Sequence, residues 1–417
     1  MSGNNNGWTK VVSSVTARST INPIRALVGS GIKEQKGKQS DQPMINMSLG
    51  DPTIYGNLKT PEAFVELVKE KLESYKCNGY LASSGDSSVK KAIADRHNLA
   101  GGATNFDASD VFLTCGGSGA IELALAALCA AGDNILLPKP GFPLYKIFAL
   151  SKGFEYKHYN LIPEKQWEID LEQLESLIDA KTKAVLINNP SNPCGSNWSK
   201  QHILDIIEIC NKHKIPIISD EIYDGIVFEN EVCYPAAALS TQVPVITLSG
   251  LAKRYLVPGW RIGWLTIHDP LGVMGDVKSG IASMTALLNG PNSFVQLAIP
   301  ELFNLDLNET FFKDVNKKLQ TSALIAEERA NKIRGLKAIR PQGSMYIMVM
   351  FDPTQFDETF KNGIDLFYAL AWEEHVEVLP GDLFDIPNSI RLVTSTPPEK
   401  ISEAFDRIEA FCSRHYV

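Results

Sequence analysis

The run Val245-Ile246-Thr247-Leu248-Ser249-Gly250-Leu251-Ala252-Lys253-Arg254-Tyr255-Leu256-Val257-Pro258-Gly259-Trp260-Arg261-Ile262-Gly263-Trp264 decides how the rest of the chain is read. Val245 to Leu248 form a short apolar and β-branched stretch of the kind that makes a buried strand, and Ser249-Gly250 punctuates its end. Lys253 follows at once, with Arg261 eight residues beyond it. A lysine just past a buried strand and near a fixed positive charge is pushed toward its neutral, nucleophilic form. An isolated lysine after a strand is usually a plain surface residue, so the reading rests on its surroundings.

Working outward, the same pattern recurs. Strand candidates are Val111–Thr114, Asn134–Leu137, Ala184–Ile187, Ile215–Ser219, Val245–Leu248 and Trp264–Ile267, with amphipathic helical stretches such as Leu171–Ile178 and Lys200–Lys212 between them. Strand and helix in alternation predict a mostly parallel sheet covered on both faces, an α/β fold. Polar residues come next after several of these strands. Gly116-Gly117-Ser118-Gly119 follows the first, Asn189 to Gly195 follows Ile187, and Asp220-Glu221-Ile222-Tyr223 follows Ser219. In open α/β sheets ligands bind beyond the carboxyl ends of the strands. One crevice is therefore expected to collect Ser118 and Lys253, although 135 positions separate them.

Each element has a chemistry that suits a phosphorylated, cationic ligand. A glycine-rich turn before the apolar helix Ala120–Ala131 offers unpaired N–H groups to an anion, aided by the helix dipole and the Ser118 hydroxyl. Such a turn is more often only a turn. Asp220 at a buried strand end needs a cationic partner. A protonated pyridine ring is one, and an acid at that nitrogen is how enzymes using pyridoxal phosphate (PLP) set the electronics of the ring. Tyr223 and Asn192 are placed to hydrogen-bond the ring hydroxyl.

The stretch from Ser249 to Trp264 resembles the cofactor-lysine region of class I/II, fold-type I PLP-dependent aminotransferases, and within them is most similar to the branch acting on tyrosine. Further matches come in the family's order and cover about residues 21 to 415. They are Asn22-Pro23-Ile24-Arg25, Ser48 to Thr53, Asn78-Gly79-Tyr80, Pro140-Gly141-Phe142, Asn189 to Gly195, Asp220 to Tyr223, and Arg391. The resemblance implies that Lys253 carries the cofactor and acts as the catalytic base. Asp220 would pair the pyridine nitrogen, and Asn192 and Tyr223 would bond the ring oxygen. Phe142, which reads equally well as a core aromatic, would stack on the ring. Gly117, Ser118 and Arg261 would bind the phosphate, and Arg391 would clamp the substrate carboxylate beside Gly50. Tyr80 would reach the cofactor phosphate of a partner subunit, making a homodimer with shared active sites. Many relatives carry a hydroxyl three residues before the lysine. Here that position is Gly250, so Ser249 is the expected substitute.

The implied architecture is a flexible tail over residues 1–20, an N-terminal arm and part of a small domain over 21–58, a large PLP-binding domain over 59–331, and a small α+β domain completed by 332–417. The implied function is ping-pong transfer of the amino group of an aromatic amino acid, tyrosine foremost, to a 2-oxo acid such as 2-oxoglutarate or pyruvate. A C–S lyase or a broad-specificity aminotransferase needs the same residues. A non-catalytic regulatory domain on this fold usually carries a DNA-binding helix-turn-helix, for which the stretch before Asn22 is too short, and Lys253 is intact.

Composition agrees with a small-molecule enzyme. The 417 residues are 44% hydrophobic and 21% charged, and the net charge of −8 argues against a nucleic-acid or anionic-membrane partner. No apolar run approaches the roughly 18 residues of a membrane span. Cysteines 77, 115, 129, 194, 210, 233 and 412 are odd in number and scattered, without the spacing of a metal site, and point to a reducing compartment. The cytoplasm is the expected address. The start of the chain, with Lys10, Arg18 and Arg25 and no acid before Glu34, also has features of a mitochondrial presequence.

Overall fold

The computed structural model describes residues 10–31, 35, 39–358 and 360–417. The chain begins its pairing with β1 (Ile45–Asn46). A central sheet then forms from β2 (Val111–Cys115), β3 (Asn134–Lys139), β4 (Glu155–Ile162), β5 (Glu168–Ile169), β6 (Thr182–Asn188), β7 (Ile217–Asp220), β8 (Val245–Gly250) and β9 (Ile262–His268). Its order is β2-β9-β8-β7-β6-β3-β4-β5. β8, β7, β6, β3 and β4 run parallel; β9 is antiparallel to both β2 and β8, and β5 closes the far edge antiparallel to β4.

The apolar runs are continuous because both faces of this sheet are covered. Val185, Ile187, Ile217 and Val245 enter one core cluster, while their neighbours Ala184, Leu186, Ile218 and Ile246 enter the other. Covering helices show the expected spacing. Helix Lys200–His213 is capped by the Ser199 hydroxyl, which accepts from the His202 N–H, and it buries Ile203, Ile206, Ile207 and Cys210. It stops at Lys214, whose φ of 55° turns the chain into Ile215-Pro216 and strand β7.

A second sheet comprises β10 (Leu336–Ala338), β11 (Tyr346–Phe351), β13 (Leu379–Pro380) and β14 (Ser389–Val393), antiparallel in the order β10-β11-β14-β13; β12 (Val376–Glu377) pairs with β1. Here alternation does the sorting. Ile347, Val349, Ile390 and Leu392 enter the small core with Ile45 and Met47, so the N-terminal segment belongs to it. Tyr346, Met348, Arg391 and Val393 share the opposite face; Met348 joins the cluster of large-sheet residues such as Val185 and Val245, and Tyr346 and Val393 pack with Tyr223, just past β7, and Leu256. Helix Lys313–Lys332 spans the junction: Val315, Leu319 and Ala323 pack with Tyr223 and Tyr346, and Ala326 and Ala330 pack in the small core.

Three expectations change. Helix Gly116–Leu128 starts at Gly116, so the glycines form its first turn rather than a loop before Ala120. Asp220 and Ser249-Gly250 are the ends of their strands, because the ladder pairs Asp220 with Leu248 and Gly250 with Gly263. In the tail, whose first nine residues lie outside the described ones, Ser14 caps a short helix, Val15–Ser19, that buries none of its residues.

Candidate active site

The carboxyl ends of β2, β6, β7 and β8 open on one cavity of about 650 Å³, closed on its other side by Leu49-Gly50, Tyr346 and Arg391. Gly117, Ser118, Phe142, Asn192, Asp220, Tyr223, Lys253 and Arg261 all line it, so the topological expectation holds.

Lys253 is half-buried in the turn after β8, and its ammonium donates to the Gly50 carbonyl oxygen at 2.5 Å. Asp220 is buried at the end of β7. Its Oδ2 accepts from the Tyr145 hydroxyl at 2.7 Å, and its Oδ1 accepts from the Ile222 N–H at 3.2 Å. Burial raises its pKa to about 6, against which these two hydrogen bonds act weakly. The neighbouring Asn188 side chain steadies the strand end by donating to the Asp220 carbonyl at 3.0 Å. A buried carboxylate held by neutral donors, with no cation against it among the described residues, is a socket for a positively charged ring nitrogen.

Arg391 is buried, its guanidinium lying between the rings of Tyr346 at 4.3 Å and Phe384 at 4.9 Å. It donates to Asn192 Oδ1 at 3.0 Å and to the Ser48 carbonyl at 2.6 Å, and its Nε is buried without a partner among the described residues. Burial lowers its pKa, the expected penalty for a cation whose partners are all neutral. An anion therefore has both a charge and an unused donor to meet there. Tyr223 is buried with its hydroxyl 2.8 Å from that of Tyr346, and burial, then Tyr346, push its pKa well up. Phe142 both lines the cavity and meets Tyr145 edge-on at 5.7 Å, so it is a core aromatic and a wall at once.

At the other end, Arg261 has a φ of 58° and is exposed; it donates to the Pro258 and Cys115 carbonyls at 2.8 and 3.2 Å. That places its guanidinium over the first turn of helix Gly116–Leu128, so close that a Cβ on Gly116 would lie 2.5 Å from it. Helix N–H groups and a guanidinium at one spot suit a phosphate. The donor set thus fits PLP at both ends, with acid at the ring nitrogen and cation plus amides at the phosphate.

Two expected residues stand elsewhere. Ser249, with Gly250 and Glu221, lines a second cavity of about 560 Å³ rather than this one. Nor is there room for a hydroxyl side chain at 250: a Cβ would sit 2.8 Å from the Ile262 carbonyl of the paired strand β9. Tyr80 is 93% exposed and contributes nothing to the cavity of its own chain. The residues that sequence reasoning missed are Tyr145, Asn188 and Tyr346. Tyr145 sits three residues past Phe142, whose carbonyl accepts from the Tyr145 N–H at 3.2 Å, and that nearness in sequence was the available signal for it.

A fold-type I scaffold bearing a PLP-competent lysine, acid and carboxylate-facing arginine defines a PLP-dependent aminotransferase. Comparison with known proteins agrees: residues 42–408 match the family model described as aminotransferase class I and II, and the chain belongs to that family. It is similar to human tyrosine aminotransferase, 42% identical over all of this chain and 90% of the relative. It is also similar to tyrosine aminotransferase of Dictyostelium discoideum, 40% identical over 97% of each. The crystal structure of tyrosine aminotransferase from Leishmania infantum superposes with a TM-score of 0.93 at 36% identity, covering 98% of this chain and 100% of that one. PLP is the cofactor, and small molecules are the substrates. Among the described residues, no helix is long and apolar enough to cross a membrane.

Proposed function

We propose that this enzyme moves the amino group of an aromatic amino acid, tyrosine first, to a 2-oxo acid such as 2-oxoglutarate or pyruvate. The observation that carries the reading is the meeting of Lys253, Asp220 and Arg391 in one cavity. The names of the relatives support tyrosine. PLP, when bound, supplies an electron sink that acidifies the substrate α-carbon. The protein does the rest. Lys253 Nζ moves the proton on and off that carbon. Asp220 keeps the ring nitrogen protonated, with Tyr145 and Ile222 holding the carboxylate in place. Asn192 and Tyr223 bond the ring oxygen, Phe142 covers a ring face, and Gly117, Ser118 and Arg261 hold the phosphate. Arg391, beside Gly50, takes the substrate α-carboxylate. Ser249 is left out of this set.

The working unit in this reading is a homodimer in the cytoplasm, the mitochondrion being the alternative address, with Tyr80 supplied across the interface. The large domain spans 59–331, and the small one combines 21–58 with 332–417. The test is a half-reaction with a panel of amino acids. Tyrosine should release about one equivalent of its 2-oxo acid per site, with no ammonia, and stop until an acceptor is added. Continuous release of ammonia from a sulfur-containing amino acid would identify a lyase instead.

A further inference from the structure

Tyr346 has no task in the sequence reading or in the roles above. It is 2% exposed at the start of β11 and touches two groups that do have one. Its hydroxyl is 2.8 Å from the Tyr223 hydroxyl, with the rings edge-on at 5.6 Å and 84°. Its ring face lies 4.3 Å from the Arg391 guanidinium carbon. The strand register explains the second contact: Tyr346 pairs with Val393, two residues beyond Arg391 on the same face of β14. The Tyr346 hydroxyl has no other hydrogen-bond partner among the described residues, and it comes so near Gly50 that any side chain there would overlap it.

A phenol has one proton to donate. If Tyr223 gives its proton to the cofactor ring oxygen, Tyr223 must accept in its bond with Tyr346, and Tyr346 must donate. An accepted hydrogen bond strengthens the donor that receives it. We propose that Tyr346 is a positioning residue with two separable parts: its hydroxyl aims and strengthens Tyr223 as donor to the ring oxygen, and its ring holds Arg391 for the substrate carboxylate. This rests on the aminotransferase reading of the site. The charged groups that line the cavity with the pair are Arg25, Asp51, Asp220, Lys253, Arg261 and Arg391, of which Arg391 and Asp220 act on Tyr223 directly.

The test uses the holoenzyme and two variants. Tyr346→Phe removes the hydroxyl and keeps the ring, and Tyr346→Leu removes both. The readouts are the pH midpoint of the bound cofactor's absorbance change and the affinity for 3-phenylpropionate, an aromatic carboxylate with no amine to react. A weaker bond to the ring oxygen leaves more negative charge there and raises the proton affinity of the bound cofactor. Tyr346→Phe should therefore move the midpoint up by about half a pH unit and leave 3-phenylpropionate affinity within about twofold. Tyr346→Leu should move the midpoint similarly and weaken 3-phenylpropionate about tenfold, the size of a desolvated cation–π contact. An unmoved or lowered midpoint in Tyr346→Phe overturns the hydroxyl's part, and equal ligand affinity in the two variants overturns the ring's part. Tyr223→Phe is the control. If it too leaves the midpoint unmoved, the assignment of Tyr223 to the ring oxygen has failed, and with it the basis for Tyr346.

Discussion

Replacing Asp220 by asparagine should make the cofactor-free protein gain stability relative to wild type as pH rises and should weaken the cofactor's grip, two effects of opposite sign from one side chain. Among the described residues, the buried Asp220 carboxylate has only the Tyr145 hydroxyl and the Ile222 N–H as hydrogen-bond donors, and burial lifts its pKa from 3.8 to about 6. An acid that holds its proton more tightly folded than unfolded contributes stability that is complete below about pH 4 and is lost as pH rises through 6. A difference of about 2 pH units at about 1.4 kcal/mol each makes about 3 kcal/mol. The asparagine sets an NH₂ against one of the two donors, at a pH-independent cost of about 1–3 kcal/mol. The pH dependence is therefore the clean signal. In urea unfolding of cofactor-free protein, the stability of Asp220→Asn relative to wild type should rise by about 3 kcal/mol between pH 4 and pH 8. Adding PLP supplies the missing cation, so it should stabilise wild type far more than the variant. A stability difference that is flat with pH would refute the buried-charge argument. Equal protection of both proteins by PLP would show that Asp220 does not face the ring nitrogen.

The other expectations are simpler to read. Lys253→Ala should lose the visible absorbance of the bound cofactor and at least about 10²-fold in rate, checked by spectroscopy and single-turnover assay. Arg391→Lys keeps the charge but not the planar fork that reaches Asn192 and Ser48 together, so kcat/KM should fall about 10²-fold for every amino acid tested. A loss confined to one side-chain class would put Arg391 in the side-chain pocket instead. Mixing Tyr80→Ala with Lys253→Ala should restore activity toward one working site per heterodimer, since two-fold symmetry gathers both lesions into the other site. Activity no greater than the weighted sum of the two mutants would mean that Tyr80 serves its own chain.

Legibility followed the type of strand. The inner parallel strands of the large sheet, β3, β6, β7 and β8, are bounded apolar runs, and each was visible, the last three with their polar successors, because burial on both faces leaves no room for other residues. β4 was missed for the opposite reason: Glu155 to Ile162 alternates charge and aromatics because it lies near the sheet edge, covered less completely. β11 and β14 were not separated from their surroundings because their two faces serve two different cores, so alternation does not show as polar against apolar. Ser249 was misplaced because linear order does not say which cavity a strand-end residue opens onto: it lies four residues from Lys253 yet lines the other cavity. Tyr145 and Tyr346 were missed because each acts on another side chain, and nothing in linear order links Tyr346 to Tyr223, 123 residues away.

The same geometry says what an incoming substrate must do. Three polar contacts join the small-domain side of the cavity to the large sheet: Lys253 with the Gly50 carbonyl, Arg391 with Asn192, and Tyr346 with Tyr223. In the second, the Arg391 guanidinium faces a single neutral amide oxygen, whereas a carboxylate can take both arms of its planar fork at once. An amino acid offers that carboxylate to Arg391. Binding thus exchanges a weak acceptor for a strong one at a contact that joins the two layers. Rearrangement of the layers on substrate binding then needs no separate hinge signal, because the arginine that recognises the substrate is also one of the groups that latch the cavity in its absence.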